Sequence, residues 1–192
     1  MFIPVIYGSV RLERQGIKAA RFVENELKER GHEVVLIDPL DYNLPFLDKM
    51  YKEYAKGEAP ENLQKLAGIF LKADAFVIVT GEYNRTMPPA LINLLDYFLE
   101  EFFWRPSAIV SYSAGSFAGV RAAENSRTIL AELGMPAIPS AFPIGKVQDS
   151  FDDEGKPTEA GKAYPERIKR FLSELEWYAE ALKNQREKGT PY

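Results

Sequence analysis

The sequence predicts an α/β fold in which five parallel strands form one doubly wound sheet, with the strand order 2-1-3-4-5. Two observations support this prediction. Short apolar runs alternate with segments of helical periodicity along the chain. The runs are apolar at consecutive positions, which is typical of parallel strands that helices cover on both faces. We expect residues 1–192 to form a single domain, because this length suffices for one sizeable core.

Five apolar runs are the predicted strands. They are Phe2–Tyr7, Val34–Ile37, Ala75–Val79, Ser107–Tyr112 and a short run at Pro136–Pro139. The first strand contains Pro4, which has no N–H group, so regular pairing is expected only from Val5 onward. An irregular stretch from Asp38 to about Pro60 follows the second strand and is placed to rim a pocket.

Helical periodicity marks five further segments. Their apolar positions define the predicted helices Gly16–Leu27, Leu63–Phe70, Met87–Phe103, Ala118–Leu133 and Ile168–Leu182. The third of these is long and has more than one apolar stripe. The residues expected to face the sheet are Leu91, Leu95, Phe98 and Phe102. This leaves Ile92, Leu99 and Phe103, which a symmetric dimer would cover.

Composition excludes several classes of function. The net charge is -4 and basic residues are scattered among acidic ones, so nucleic acid is not an expected partner. No apolar run approaches the ~20 residues of a membrane span, and the first residues lack a signal-peptide pattern, so we expect a cytoplasmic protein. The chain has no cysteine and a single histidine, His32, which excludes thiolate catalysis and an imidazole metal site. His32 is interpreted as a solvated turn residue.

Three loops are expected to carry the function. In doubly wound sheets, ligands bind beyond the carboxyl ends of the strands, near the switch point between the first and third strands. The loops in this position follow Tyr7, Thr80 and Tyr112.

The first of these loops, Gly8–Gly16, leads directly into a helix and has the properties of a phosphate cradle. Unpaired N–H groups at a helix N-terminus attract anions, and Ser9 and Arg11 add a hydroxyl and a guanidinium donor. Neither the lysine-bearing P-loop pattern nor the G-x-G-x-x-G fingerprint is present, so a monophosphate is the favoured ligand. The alternative is an ordinary turn in which Ser9 caps the helix and Arg11 is solvated.

The second loop, residues 81–86, is held out of the following helix by proline. Pro88 fits the first helical turn and keeps Met87 extended, so the helix cannot begin much earlier. The loop then offers backbone groups and the ring of Tyr83 to a flat heteroaromatic ligand. The alternative is a polar turn before a buried helix.

The third loop, Ser111–Gly119, consists mostly of small residues. Gly115 and Gly119 allow close approach of the backbone to a ligand, although they could instead serve only the turn and the packing of the next helix. An acidic run at 152–154 lacks the spacing of a calcium loop and is interpreted as a turn, so no metal is expected.

With these motifs the chain resembles the NADPH-dependent FMN reductase family, which includes related quinone and azo reductases, along nearly its whole length. The first loop is similar to the family's phosphate loop in the pattern Gly8-Ser9-x-Arg11. The second matches a signature that reads Glu82-Tyr83-Asn84-x-x-x-Pro88-x-x-Leu91-x-Asn93-x-x-Asp96. A third segment is similar to the turn before the family's last helix and reads Phe151-Asp152-Asp153-Glu154-Gly155.

The resemblance implies a flavodoxin-like fold with bound FMN. It implies that the FMN phosphate is held by Ser9, Arg11, Gln15, Gly16 and Ile17. The residues that it implies along the isoalloxazine are Glu82, Tyr83, Asn84 and Thr86. Contacts to the pyrimidine side of the ring are implied for Ser113, Gly115 and Ser116. It also implies homodimers or dimers of dimers, with each flavin site completed near the neighbouring chain.

The chain departs from the family pattern at two positions of the second loop. Gly81 stands where proline is usual, and Arg85 stands where a small residue is usual. Arg85 is open to two interpretations, because it could attract the phosphates of a pyridine nucleotide or be solvated.

The implied function is an NAD(P)H-dependent oxidoreductase. FMN would supply the redox chemistry and the protein would supply placement, so no catalytic side chain is required. NADPH or NADH and a small-molecule electron acceptor would use the same flavin face in turn, which predicts ping-pong kinetics. The alternative is a flavodoxin-type electron carrier that serves a protein partner, although a net charge of -4 gives little long-range steering. A third interpretation is a nucleotide-binding or scaffold module without turnover.

Overall fold

In the computed structural model, which describes residues 1–192, five strands form one sheet in the order 2-1-3-4-5, and every pairing is parallel. The strands are β1 (Phe2–Tyr7), β2 (Glu33–Ile37), β3 (Phe76–Gly81), β4 (Ser107–Tyr112) and β5 (Ala137–Ile144). The predicted fold class and strand order are therefore confirmed.

Helices cover both faces of the sheet. They are α1 (Gly16–Glu29), α2 (Pro39–Tyr42), α3 (Glu61–Lys72), α4 (Pro89–Asp96), α5 (Val120–Glu132), α6 (Val147–Ser150) and α7 (Tyr164–Arg186). Two 3-10 turns occupy Tyr51–Glu53 and Glu100–Phe102. Buried residues of α1 and α7 form one core with the sheet, and those of α3, α4 and α5 form a second core on the opposite face. None of the helices has the length and apolar character needed to cross a membrane.

Pro4 does not delay the pairing of β1 with β2, which corrects the prediction on that side. The register with β2 begins at Phe2 and includes Pro4, whereas the register with β3 begins only at Val5. The N–H and carbonyl groups of Phe2 both bond to Asp74, on the β3 side of the strand. Since a strand repeats every two residues, the missing N–H of Pro4 also falls on the β3 side, before that ladder begins.

The predicted helix over Met87–Phe103 is wrong in its extent. α4 ends at Asp96, because the carbonyl of Tyr97 accepts a hydrogen bond from the N–H of Tyr51 at 2.8 Å. The Tyr97 hydroxyl also donates to the carbonyl of Pro45 at 3.1 Å. The apolar residues beyond α4 still enter the core, and all four residues expected to face the sheet are at most 1% exposed.

Strand β5 is longer than the predicted run of four residues. It occupies Ala137–Ile144 and contains Pro139 and Pro143. Proline is tolerated here because β5 is the edge strand, where one row of N–H groups faces no other strand. The predicted order already placed this strand at the edge of the sheet, although the predicted run ended at Pro139.

Candidate functional site

A cleft of about 310 Å³ lies at the carboxyl ends of β1, β3 and β4, and the three predicted loops meet there. Its walls are formed by Ser9, Arg11, Glu13, Arg14, Gln15, Gly16, Gly81, Glu82, Tyr83, Tyr112, Ser113, Ala114 and Val147. The cleft is next to the switch point of the sheet, since β1 lies between β2 and β3.

The loop after β1, which forms one wall of this cleft, contains a row of free backbone donors. None of the N–H groups from Leu12 to Ile17 donates to another residue, and the first bonded one is Lys18, which reaches the carbonyl of Gln15 at 3.2 Å. Free N–H groups at a helix N-terminus carry partial positive charge. The start of α1 is therefore suited to an anion.

Arg14 holds this loop in shape through its hydrogen bonds. Its guanidinium donates to the carbonyl of Ser9 at 2.9 Å and to one oxygen of Asp38 at 2.6 Å, with a second, very short bond to the other oxygen. The guanidinium also lies 5.3 Å from the ring centre of Tyr7. The role of Arg14 leaves no local sequence signal, because the pairing with Asp38 joins loops that follow two different strands.

The loop after β3 ends in a two-residue hairpin. Tyr83 and Thr86 exchange two backbone hydrogen bonds of 3.0 Å, and the residues between them, Asn84 and Arg85, have φ values of 51° and 70°. Two consecutive residues with positive φ form the kind of turn that favours Asn followed by Gly. Arg85 therefore adopts a left-handed conformation that glycine usually occupies.

The side chain of Glu82 forms hydrogen bonds with α5. Its carboxylate accepts the N–H of Arg121 at 3.2 Å and that of Ala122 at 3.4 Å, in the first turn of α5. It thereby caps the helix in place of the preceding residue, Gly119, which has no side chain. The backbone N–H of Glu82 has no acceptor within the protein and remains available in the cleft.

The loop after β4 is tied to the end of β5. The N–H of Ser113 donates to the carbonyl of Ile144 at 3.1 Å, and the N–H of Lys146 donates to the carbonyl of Gly115 at 3.2 Å. The Ser113 hydroxyl also donates to the carbonyl of Gly115, at 2.9 Å. The N–H groups of residues 114–116 have no acceptor within the protein, so this loop too offers free donors.

Tyr112 lines the cleft, and the fully buried Tyr7 lies behind it. The Tyr112 hydroxyl donates to the Tyr7 hydroxyl at 3.4 Å. Burial raises the pKa of Tyr112 well above its usual value of 10.0, and burial also raises the pKa of Tyr7. Both phenols are therefore protonated at neutral pH.

Seven of the twelve predicted site residues line the cleft. They are Ser9, Arg11, Gln15, Gly16, Glu82, Tyr83 and Ser113. Ile17 packs against the core and faces the cleft region only through its free N–H group. Gly115 and Ser116 are exposed and do not line the cleft.

Asn84 and Thr86 line a second cavity of about 370 Å³, which shares Tyr83 with the cleft. Its other walls are Phe46, Met87, Pro89, Ile92, Asn93 and Asp96. Burial raises the pKa of Asp96 above its usual value of 3.8. The irregular stretch after β2 does rim a pocket, as predicted, because Phe46 belongs to it.

Two further sequence features lie away from the cleft. His32 is not a free turn residue, because its Nε2 atom lies 2.8 Å from a carboxylate oxygen of Glu176 on α7. The acidic turn docks on α1, where Asn25 donates to the carbonyl of Glu154 at 3.0 Å. No group of three or more His, Cys, Asp or Glu side chains is arranged to hold a metal ion.

Known structures with this fold bind their ligands at the same end of the sheet. The chain superposes with a TM-score of 0.71 on the flavoenzyme NAD(P)H:(acceptor) oxidoreductase FerB from Paracoccus denitrificans, at 21% identity, over 92% of this chain and 98% of that one. It superposes with a TM-score of 0.55 on a flavodoxin mutant from Pseudomonas aeruginosa, at 18% identity, over 95% and 99% of the two chains. These similarities place the chain in the flavodoxin-like fold.

Sequence comparison narrows this class to one family. The model of the family described as NADPH-dependent FMN reductase matches residues 1–149. A quinone reductase from Pseudomonas putida is 31% identical over 180 residues, which cover 89% of this chain and 92% of that protein. The chain belongs to the NADPH-dependent FMN reductase family.

Proposed function

We propose that the protein binds FMN in the cleft and uses it to transfer reducing equivalents from NADPH or NADH to a small-molecule acceptor. The observation that carries this proposal is the row of free N–H groups from Leu12 to Ile17, beside the unpaired guanidinium of Arg11. A phosphate monoester has the charge and the acceptor oxygens for these donors. The cleft therefore fits the terminal phosphate of FMN.

We assign the phosphate to Ser9, Arg11, Gln15, Gly16 and Ile17. Ser9 and Arg11 offer side-chain donors, whereas Gln15, Gly16 and Ile17 offer backbone N–H groups. Arg14 acts differently, because its guanidinium is already bound to Asp38. Arg14 keeps the loop in place through its hydrogen bond to the Ser9 carbonyl.

The ring of FMN is assigned to the hairpin loop. Glu82 would contact it through its backbone N–H, because its carboxylate is used to cap α5. Tyr83, Asn84 and Thr86 border the second cavity, and Tyr83 borders both cavities. On the other side of the cleft, Ser113 lines the wall beside the ring. Gly115 and Ser116 contribute free N–H groups.

FMN, when bound, supplies the chemistry of accepting a hydride from a nicotinamide and giving it to an oxidant. The protein's part is to hold the ring beside Tyr83. We expect the nicotinamide and the acceptor to use the same face of the ring one after the other, which predicts ping-pong kinetics. Quinones, free flavin and azo dyes are flat molecules that can stack on the ring, so they are suitable acceptors.

The test starts from the purified protein. We expect one FMN per chain, bound more tightly than riboflavin or FAD, and oxidation of NADPH or NADH that depends on an added acceptor. Double-reciprocal plots at several acceptor concentrations should be parallel, as ping-pong kinetics require. Absence of FMN binding would contradict the proposed function, and intersecting lines would contradict the order of events alone.

A flavodoxin-type carrier is not favoured, because the family match is to reductases. The two functions differ in their electron donor. In an anaerobic cuvette, NADPH or NADH alone should bleach the visible absorbance of the FMN-loaded protein in one two-electron step. Reduction that requires a protein partner would favour the carrier.

We propose that a second copy of the chain completes the site, so that the protein is a homodimer or a dimer of dimers. A third cavity, of about 460 Å³, adjoins the second and shares Phe46, Pro89 and Asn93 with it. Phe46 is 87% exposed beside Ile92, which is half-buried.

We expect the chain to act as one domain over residues 1–192 and to work in the cytoplasm.

A further inference from the structure

Tyr112 places a hydroxyl group between the two loops that carry most of the proposed FMN contacts. It is the last residue of β4, is 8% exposed and lines the cleft. A Cβ atom on Gly16 would overlap its Cζ atom and hydroxyl oxygen, and one on Gly81 would lie 3.1 Å from the same two atoms. The phenol therefore lies against the start of α1 and the end of β3 at the same time.

The Tyr112 hydroxyl has a capacity for hydrogen bonding that its own neighbours do not exhaust. A phenol has one hydrogen and two lone pairs. The hydrogen is directed to Tyr7, at 3.4 Å. Burial keeps both phenols protonated, and an interaction of each with the Ser9 hydroxyl only partly opposes this effect. Even with Ser9 as a donor, one lone pair on Tyr112 remains for a donor in the cleft.

We propose that the Tyr112 hydroxyl binds the ribityl chain of FMN and so selects flavins that carry this chain. The inference rests on the proposed function, which assigns the phosphate to the start of α1 and the ring to the loop after β3. The ribityl chain connects these two parts of FMN. Tyr112 lies against Gly16 on the phosphate side and Gly81 on the ring side, which is where the connection must pass.

The ribityl hydroxyls and the Tyr112 phenol are also complementary in hydrogen bonding. Each ribityl hydroxyl can donate a hydrogen bond, and Tyr112 can accept one without giving up its bond to Tyr7. Tyr7 keeps the phenol in place through their hydrogen bond and is a positioning residue for it. A phenylalanine at position 112 would preserve the packing over both glycines and remove only the acceptor.

This packing explains one departure from the family pattern. Proline, which is usual at position 81, has a Cβ atom, and that atom would lie 3.1 Å from the Tyr112 Cζ and hydroxyl. Such an approach is closer than ordinary van der Waals contact. Gly81 therefore makes room for the Tyr112 phenol in this chain.

The test is a titration of flavin-free protein with three flavins. Lumiflavin has the ring alone, riboflavin adds the ribityl chain, and FMN adds the phosphate. We expect Tyr112→Phe to weaken riboflavin and FMN by the same factor, about two- to tenfold, as for the loss of one neutral hydrogen bond. Lumiflavin affinity should stay within twofold of the wild-type value. Tyr7→Phe should give the same pattern with a smaller factor.

The matched control is Tyr178→Phe, on α7 and away from the cleft, which should change none of the three affinities. Unchanged riboflavin and FMN affinity in Tyr112→Phe would overturn the inference. An equal loss for lumiflavin would overturn it too, because the effect would then come from packing against the ring. If the wild-type protein binds FMN normally in these cases, the proposed function stands. If the wild-type protein binds no flavin, both fail.

Discussion

Arg11 and Arg14 stand three residues apart in one loop, yet only one of them has a partner. The guanidinium of Arg14 is held by both carboxylate oxygens of Asp38 and by the carbonyl of Ser9. Arg11 forms no ion pair and is exposed at the wall of the cleft. A guanidinium that is already paired keeps the loop in shape, and one that is free is available to a phosphate.

This difference predicts the effect of removing Arg11. Arg11→Ala should weaken FMN by about 1.5–3 kcal/mol, the range for a charge-assisted hydrogen bond, and should leave riboflavin affinity unchanged. Fluorescence titration with both flavins measures this. Arg170→Ala, which removes an exposed arginine on α7, is the control. Equal FMN affinity in the Arg11 variant and the wild type would mean that Arg11 is only solvated.

On the scale of an element, the hairpin after β3 keeps a strained residue at its tip. Arg85 has a φ of 70° and lies beside the second cavity, where its carbonyl is 3.5 Å from the amide nitrogen of Asn125 on α5. Non-glycine residues in this conformation carry strain, and such strain persists chiefly at functional sites. This motivates the hypothesis that the Arg85 side chain attracts the phosphates of NADPH or NADH.

Arg85→Gly separates the strain from the side chain. The glycine should raise the free energy of unfolding by about 0.5–1 kcal/mol, because Asn-Gly suits this turn. It should also raise KM for the nucleotide, which Arg85→Ala should reproduce without the gain in stability. Thermal unfolding and initial rates measure the two effects. An unchanged KM in both variants would leave Arg85 as a solvated residue.

The anchoring of α7 depends on pH through Glu176. Its carboxylate accepts hydrogen bonds from Arg30 at 2.6 and 2.5 Å and lies beside His32, and the Arg30 bonds in particular lower its pKa below the usual value of 4.5. A lowered pKa in the folded state stabilises the protein above pH 4.5, and this stability is lost as the pH falls through the folded-state pKa.

Glu176→Gln should therefore destabilise the protein at pH 7, by about 0.5–1 kcal/mol for a partly exposed pair. The difference from wild type should shrink as the pH falls below 4.5 and vanish once Glu176 is protonated. Denaturant unfolding over this pH range gives the measurement. Glu166→Gln, which breaks an exposed pair with Lys169 on the same helix, should leave the stability unchanged. A constant difference at all pH values would exclude the carboxylate as its source.

Periodicity predicted the elements better than their ends. The pattern over Met87–Phe103 is apolar because Phe98 and Phe102 enter the core, and a core position looks the same in sequence whether or not the helix continues. What ends α4 is a backbone bond from Tyr51, which lies more than forty residues earlier in the chain. The pairing of Arg14 with Asp38 was missed for the same reason, because contacts between distant segments leave no local pattern.

For the whole molecule, the order of strands was predictable because alternation of strand and helix leaves few arrangements. The place of the cleft followed from that order, through the switch point between β1 and β3. The roles of the individual side chains within the cleft did not follow from the strand order. The Glu82 carboxylate caps α5, and nothing within residues 81–86 could reveal that the first turn of a later helix lies beside it.

The assembly is the prediction at this scale. Sedimentation at micromolar concentration should show a dimer or a larger even-numbered assembly, because Phe46 and the adjoining apolar cavities need a cover. Phe46→Asp should shift the protein toward the monomer and lower its activity. Trp177→Asp, at an aromatic residue that is 67% exposed on α7, should not. A fully active wild-type monomer would contradict the assembly.

The packing of Tyr112 against two glycines also limits the order in which the chain can change during evolution. While a tyrosine occupies position 112, any side chain at position 16 collides with it and any side chain at position 81 crowds it. Gly16 becomes replaceable only after position 112 has lost its ring, whereas a side chain at position 81 requires the phenol to shift by a few tenths of an ångström. The effect of a substitution at position 16 or 81 therefore depends on which residue occupies position 112.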